Sequence, residues 1–130
     1  MESPISISFF MVRLFPLYCL ILGTEVLRLA NRYAGKRLFE WHYTSLNGLP
    51  VEASNSSEIV VENALKDCKH TNYLLVIAGD DPLADFSAEM KQVLQRLSRQ
   101  KVTMGSIDSG AFVLAEAQLL RDQSIALHPT

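Results

Sequence analysis

The chain reads as an α/β layered fold with a mostly parallel sheet. Two observations lead there. Short apolar runs alternate with segments whose apolar residues recur at helical spacing. Two of those runs, residues 5–12 (ISISFFMV) and 73–78 (YLLVIA), are apolar over most of their length, as strands buried on both faces are. At 130 residues and 48% hydrophobic content, residues 1–130 suit one globular domain rather than a disordered segment.

The elements follow in order. The first strand is residues 5–12. Pro16 suits the first turn of a helix. Leu17, Leu20, Ile21, Thr24, Leu27 and Leu29 keep helical spacing up to Ala34, and Gly35 is a good stop. Residues 39–46 alternate as a second strand, and Asn47-Gly48 is a turn pair. Residues 51–61 give one or two short strands around the polar Asn55-Ser56-Ser57 turn. The run 73–78 is a buried strand ending at Gly79. Ser87 caps a helix over 88–99, since its hydroxyl accepts an orphan N–H. Met90, Val93, Leu94 and Leu97 make that helix's core stripe. A strand at 102–107, a helix at 109–119 and the start of a strand at 124–127 complete the pattern.

Composition excludes several functions. Twelve basic and fourteen acidic residues leave a net charge of -2. There is no basic stripe, so these residues are not expected to touch DNA themselves. The uncharged run 14–24 is far short of the ~20 residues of a spanning helix. Glu2 is acidic where a secretory leader wants Lys or Arg, so no membrane association is expected. Cys19 and Cys68 form neither a metal spacing nor a disulfide framework; a reduced, cytoplasmic setting follows. Cys19 reads as a small core hydrophobe. His42 reads as a surface or satisfied histidine and His70 as exposed. No metal motif, dinucleotide fingerprint or Walker sequence occurs, so no metal or cofactor is expected.

In such folds ligands sit beyond the carboxyl ends of the strands. Three polar clusters fall there: Gly79-Asp80-Asp81, Asp108-Ser109-Gly110 and His128. Asp80 and Asp81 before Pro82 also read as a capping turn. The segment from Thr103 to Phe112 runs from a buried strand through a sharp turn into a helix. That is nucleophile-elbow geometry, with Asp108 at the elbow. The simpler reading makes Asp108 the cap of a helix starting at Ser109. Arg28, Arg32 and Lys36 run along one helix edge, as a solvated face with Glu25 near Arg28 or as a dimer interface.

The segments GSIDSGAFVLAEAQLL, EVLRLANRYAG, AGDDPL and the closing ALHP resemble the N-terminal domain of GlxA-type regulators, members of the AraC family of transcription activators. That domain is in turn similar to the PfpI-type protease and class I glutamine amidotransferase superfamily. The resemblance spans about residues 7–128. It implies a three-layer, flavodoxin-like sandwich. It also implies a chain truncated at its C-terminus, lacking the helix-turn-helix domain that would contact DNA.

In that superfamily's enzymes the elbow holds a Cys, helped by a Glu of the first helix and a downstream His. Carried over by position, those slots hold Asp108, Glu25 and His128. With Asp108 in the Cys slot, no enzyme is expected. The implied ligand site is Glu25, Gly79, Asp80, Asp108, Ser109 and His128. Several carboxylates at one mouth favour a small cationic or zwitterionic ligand, and the resemblance implies an amine, amino acid or betaine. One carboxyl, Glu25, is expected to be protonated against Asp108. Phe10, Phe15, Trp41, Tyr43 and Phe112 are the candidate aromatic walls for a quaternary ammonium. The function expected is an effector-sensing domain, as a homodimer. The rivals are a PfpI-like hydrolase or amidase using Asp108 with His128, and a vestigial dimerisation domain.

Overall fold

Strand β1 (Ile5–Met11) runs through the middle of the molecule and is buried along nearly its whole length. Its side chains alternate between two cores. Phe10 joins Leu74, Val76, Met90, Leu94, Leu97, Val113 and Leu114 on one face of the sheet. Ile7, Phe9 and Met11 join Phe15, Cys19, Leu20 and Ile77 on the other. A strand with apolar partners on both faces has little use for polar alternation. The two exceptions, Ser6 and Ser8, are buried and tied to the segment before β6: the Ser6 amide donates to Asn72 Oδ1 at 2.8 Å, and the Ser8 hydroxyl donates to Thr71 Oγ1 at 2.9 Å.

The computed structural model describes residues 3–120. Parallel neighbours flank β1: β2 (Phe39–Ser45) on one side and β6 (Tyr73–Ala78) on the other. Phe9 lies level with Tyr43 and with Leu75. Beyond β2 sits β5 (Asn63–Ala64), and beyond β6 sits β7 (Thr103–Asp108). The order is therefore β5-β2-β1-β6-β7, all parallel. The remaining strands, β3 (Val51–Glu52) and β4 (Glu58–Ile59), form the small antiparallel hairpin around Asn55-Ser56-Ser57. Helix α1 (Leu17–Ala34) and this hairpin cover one face of the sheet, while α2 (Ala88–Arg99) and α3 (Gly110–Glu116) cover the other. The result is the three-layer, flavodoxin-like α/β sandwich.

Local chemistry sets the helix ends. Ser87 Oγ accepts the Met90 amide at 3.1 Å, capping α2. Gly35 takes the left-handed conformation that stops α1. Asn31 then ties α1 to β2: its amide donates to the Phe39 carbonyl, and its Oδ1 accepts the Leu38 and Phe39 amides, all at 2.9 Å.

Several expectations need adjusting. Pro16 stands at the cap position, extended, rather than inside the first turn of α1. Ile21 and Leu29 face solvent, because the sheet reaches only the side of α1 that carries Leu17, Cys19, Leu20 and Leu27. The two-residue strand β5 carries no periodicity and is read only from its pairing with Thr44 and Ser45. Helix α3 starts at Gly110, one residue later than expected. The strand expected at 124–127 lies outside the described residues.

Candidate functional site

The chain leaves β1 for β2 on one side of the sheet and returns to β6 on the other. The switch point between β1 and β6 leaves a crevice that no crossover helix fills, and it opens at the carboxyl ends of the strands. A cleft of about 270 Å³ lies there. Leu14, Pro16 and Tyr18 line it from the connection into α1 and its first turn. Ser54 comes from the hairpin, Gly79 and Asp80 from the end of β6, and Asp108 and Ser109 from the turn between β7 and α3.

The backbone around this cleft is unusual in two places. Asp108 has φ +54 and Leu14 has φ +69. A non-glycine residue in the left-handed region costs free energy, and such residues cluster where a site requires them. Asp108 is thus the elbow, the last residue of β7 before the helix. Ser109 occupies the cap position of α3, so the reading of Asp108 as the helix cap is corrected. The elbow is pressed against β6. The Ser109 amide donates to the Ala78 carbonyl at 3.0 Å. A Cβ on Gly110 would collide with the Val76 carbonyl, so only glycine lets α3 approach so closely. A Cβ on Gly79 would meet the Leu14 carbonyl at 2.7 Å, closing the opposite wall.

Of the expected site residues, Gly79, Asp80, Asp108 and Ser109 come together in this cleft. Asp81 is exposed and is not among the lining residues. His128 lies outside the described residues. Glu25 does not line the cleft. Its carboxylate is half-exposed and bonded through both oxygens to Arg28, at 2.6 and 3.1 Å. That guanidinium holds the Glu25 carboxyl below the usual range. Glu25 is therefore ionised, and the expected protonated Glu25 against Asp108 is corrected. The reason is helix geometry. Tyr18 and Cys19 of α1 lie within electrostatic reach of Asp108. Glu25 lies six residues beyond Cys19, about 240° further round at ~100° per residue.

Tyr18 is the aromatic residue of the cleft, and periodicity did not single it out. Phe10 and Phe15 are fully buried in the two cores, Trp41 and Tyr43 pack into the α1-side core, and Phe112 stands on α3; none of these five lines the cleft. The usable signal was positional, since the first turn after β1 borders the switch point. The Tyr18 phenol is pushed up from its ordinary value by adjacent Cys19 and then by the charge on Asp108. Burial pushes the Cys19 thiol up, against a hydrogen bond with Tyr18, and the Asp108 charge adds to the rise. Cys68 is raised likewise by burial, beside Ser8. Both thiols are held neutral, a poor state for nucleophilic work.

Elsewhere, His42 Nδ1 bonds Glu62 at 2.8 Å and His70 is exposed. A second concavity of about 280 Å³ lies at the carboxyl ends of β1 and β2. Its Arg13 and Asp85 side chains close on each other at 2.7 Å. Among the described residues no group of three His, Cys, Asp or Glu is placed to hold a metal ion, and no helix is long and apolar enough to cross a membrane.

The cleft can therefore offer carboxylates at Asp108 and Asp80, a hydroxyl at Ser109 and a phenol ring at Tyr18. Such a set suits a small cation bearing hydrogen-bond donors or methyl groups.

No protein-family model matches the chain. Individual proteins do. The HTH-type transcriptional regulator CdhR of Pseudomonas aeruginosa is 41% identical over 108 residues, 83% of this chain and 32% of that protein. The HTH-type transcriptional regulator GlxA of Rhizobium meliloti is 36% identical over 124 residues, 94% of this chain and 38% of that protein. The chain thus spans about a third of the length of these curated relatives. Among solved structures, an AraC family transcriptional regulator from Pseudomonas putida superposes with a TM-score of 0.86 at 23% identity, over 97% of this chain and 68% of that one. A ThiJ/PfpI family protein from Pseudomonas syringae superposes with a TM-score of 0.74 at 17% identity, over 92% of this chain and 48% of that one. In sequence, then, the chain is homologous to GlxA-type transcriptional regulators, and in fold it is a PfpI-like domain.

Proposed function

We propose that this domain is the effector-sensing part of a cytoplasmic transcriptional regulator. A small cationic or zwitterionic ligand, an amine, amino acid or betaine, binds in the cleft at the β1/β6 switch point. Occupancy then controls DNA binding by a helix-turn-helix domain outside this chain, and the sensing domain acts as a homodimer. The observation that carries this reading is Asp108, held at φ +54 at the mouth of a cleft shared with Asp80 and Tyr18. A carboxylate in that position supplies charge for binding. The homology to HTH-type regulators supports the same reading. Control requires that the ligand favour one of two arrangements of the protein, since equal affinity for both shifts nothing.

The test is a thermal-shift screen of the chain and of Asp108→Asn against amines, amino acids and betaines. A ligand that binds only the folded state adds about 2.7 kcal/mol at a hundredfold excess over its dissociation constant. The expected result is a raised midpoint for one class of cation in the native protein and none in Asp108→Asn. A shift of equal size in both would remove Asp108 from the site. Turnover of an amide or ester substrate that Asp108→Asn abolishes would favour a hydrolase instead.

A further inference from the structure

A larger concavity lies at the opposite end of the sheet, where β1 and β2 begin. Its volume is about 610 Å³, against about 270 Å³ for the Asp108 cleft. Small-molecule sites occupy roughly 300–1,000 Å³ and combine apolar walls with a few convergent polar groups. Here Pro4, Ile5, Leu38 and Phe39 supply the apolar surface, and Lys36 and Arg37 supply the charge. The walls are held by the backbone. Ile5 and Phe39 lie level in the sheet. The Ile5 amide donates to the Leu38 carbonyl at 2.9 Å. The Leu38 amide donates to the Lys36 carbonyl at 3.1 Å and to Asn31 Oδ1 at 2.9 Å. A concavity fixed in this way needs little ordering when a ligand enters.

Its positive charge is available. Lys36 is exposed and makes no ion pair among the described residues. The Arg37 side chain is 69% exposed and meets one carboxylate, Glu40, through Nη2 at 3.3 Å. A guanidinium carries five N–H donors, so most of those on Arg37 are left for a ligand. The carbonyls at a helix end draw cations, which accounts for Arg32 in the last turn of α1. Lys36 and Arg37 lie beyond the Gly35 stop, on the connection that lines the concavity. On the far side of Pro4 and Ile5 a second trough carries Lys101. Asp80, Asp81, Asp85 and Asp108 all stand at the carboxyl ends of the strands instead. The fold parts charges that the sequence intersperses.

We infer that this concavity binds an organic anion with an apolar body, a medium-chain carboxylate. The carboxylate sits between Lys36 and Arg37 in charge-assisted bonds. The acyl chain lies along Pro4, Ile5, Leu38 and Phe39. A carboxylate without a chain would leave that wall wet, and a chain with an ammonium head would meet like charge. The site is opposite to the Asp108 cleft in sign and in position, so it stands independently of the sensing role.

The test is isothermal titration of octanoate into the 130-residue chain. Saturable binding is expected in the native protein and, with equal affinity, in Asp108→Asn. In the double variant Lys36→Gln with Arg37→Gln the affinity is expected to fall at least tenfold, while Lys36→Arg keeps it. Both side chains are exposed, so far-UV circular dichroism and melting are expected to stay unchanged. Acetate is expected not to bind. Absence of saturable octanoate binding to the native chain overturns the inference. So does octanoate binding that survives the double variant, acetate binding as tight as octanoate, or loss of octanoate binding in Asp108→Asn. Binding to phosphatidylglycerol vesicles with none to octanoate in solution would make this end a membrane-docking surface and overturn it as well. Cation binding that Asp108→Asn abolishes while octanoate binding persists would show the two sites to be separate, so the two readings fail separately.

Discussion

Helices α1 and α2 both carry apolar residues at helical spacing and bury them differently. In α2 the stripe Met90, Val93, Leu94 and Leu97 is wholly buried against the sheet. In α1 only Cys19 and Leu20 are fully buried, and five large apolar side chains on the neighbouring face meet solvent. The helices also begin differently. A serine hydroxyl caps α2, whereas no side chain caps α1, whose start is set by Pro16 at the edge of the cleft. Helix α2 is built for stability within one domain. Helix α1 carries one wall of the cleft and an exposed apolar face. Periodicity marks a face as apolar; what covers it depends on tertiary structure.

The comparison can be broken most sharply at the cores. Leu94→Ala removes a fully buried side chain and is expected to cost about 2–5 kcal/mol in urea unfolding. Leu22→Ala, at an exposed position, is expected to stay within about 0.5 kcal/mol. Equal costs at the two sites would contradict the assignment of faces.

Next in size is the elbow. Gly110→Ala forces a Cβ against the Val76 carbonyl, and overpacking of that kind costs about 1–3 kcal/mol. The cost should appear in thermal melts together with weakened ligand binding, because α3 positions Ser109 and Asp108. A neutral outcome would mean that the elbow is looser than described.

The cap follows. Ser87→Ala removes the acceptor for the Met90 amide and is expected to cost about 1 kcal/mol. No hydrogen bond is lost by Pro16→Ala at the start of α1, so stability there should change less.

The smallest effect lies on α1's surface pair. Arg28 holds the Glu25 carboxyl low. A depressed carboxyl contributes stability above its unfolded pKa of about 4.3. It loses that contribution as pH falls through the folded value. Comparing native and Glu25→Gln melts at pH 7 and pH 3 should show a slight difference at pH 7 that disappears at pH 3. A difference that grew in acid would contradict the ion pair.

Much of this was legible in the sequence, and the gaps have physical causes. The doubly buried strands, the Ser87 cap and the Asp108 elbow are local signals, readable from a few adjacent residues. β5 is too short to carry a period and exists only through its partner strand. Glu25 stands away from the cleft for a reason of angle. Position in a motif was carried over, but around a helix six residues turn a side chain to a different neighbour. Tyr18 was missed because it belongs to two surfaces at once, the cleft and the exposed stripe. Neither surface can be seen without the sheet order.

The most direct test of the central claim is a crystal structure of the protein with the strongest cation from the screen. The account predicts the ligand in the 270 Å³ cleft, its charge against Asp108 and within about 6 Å of the Tyr18 ring. A ligand seated in the other concavity, beside Arg13 and Asp85, with the Asp108 cleft empty, would contradict it.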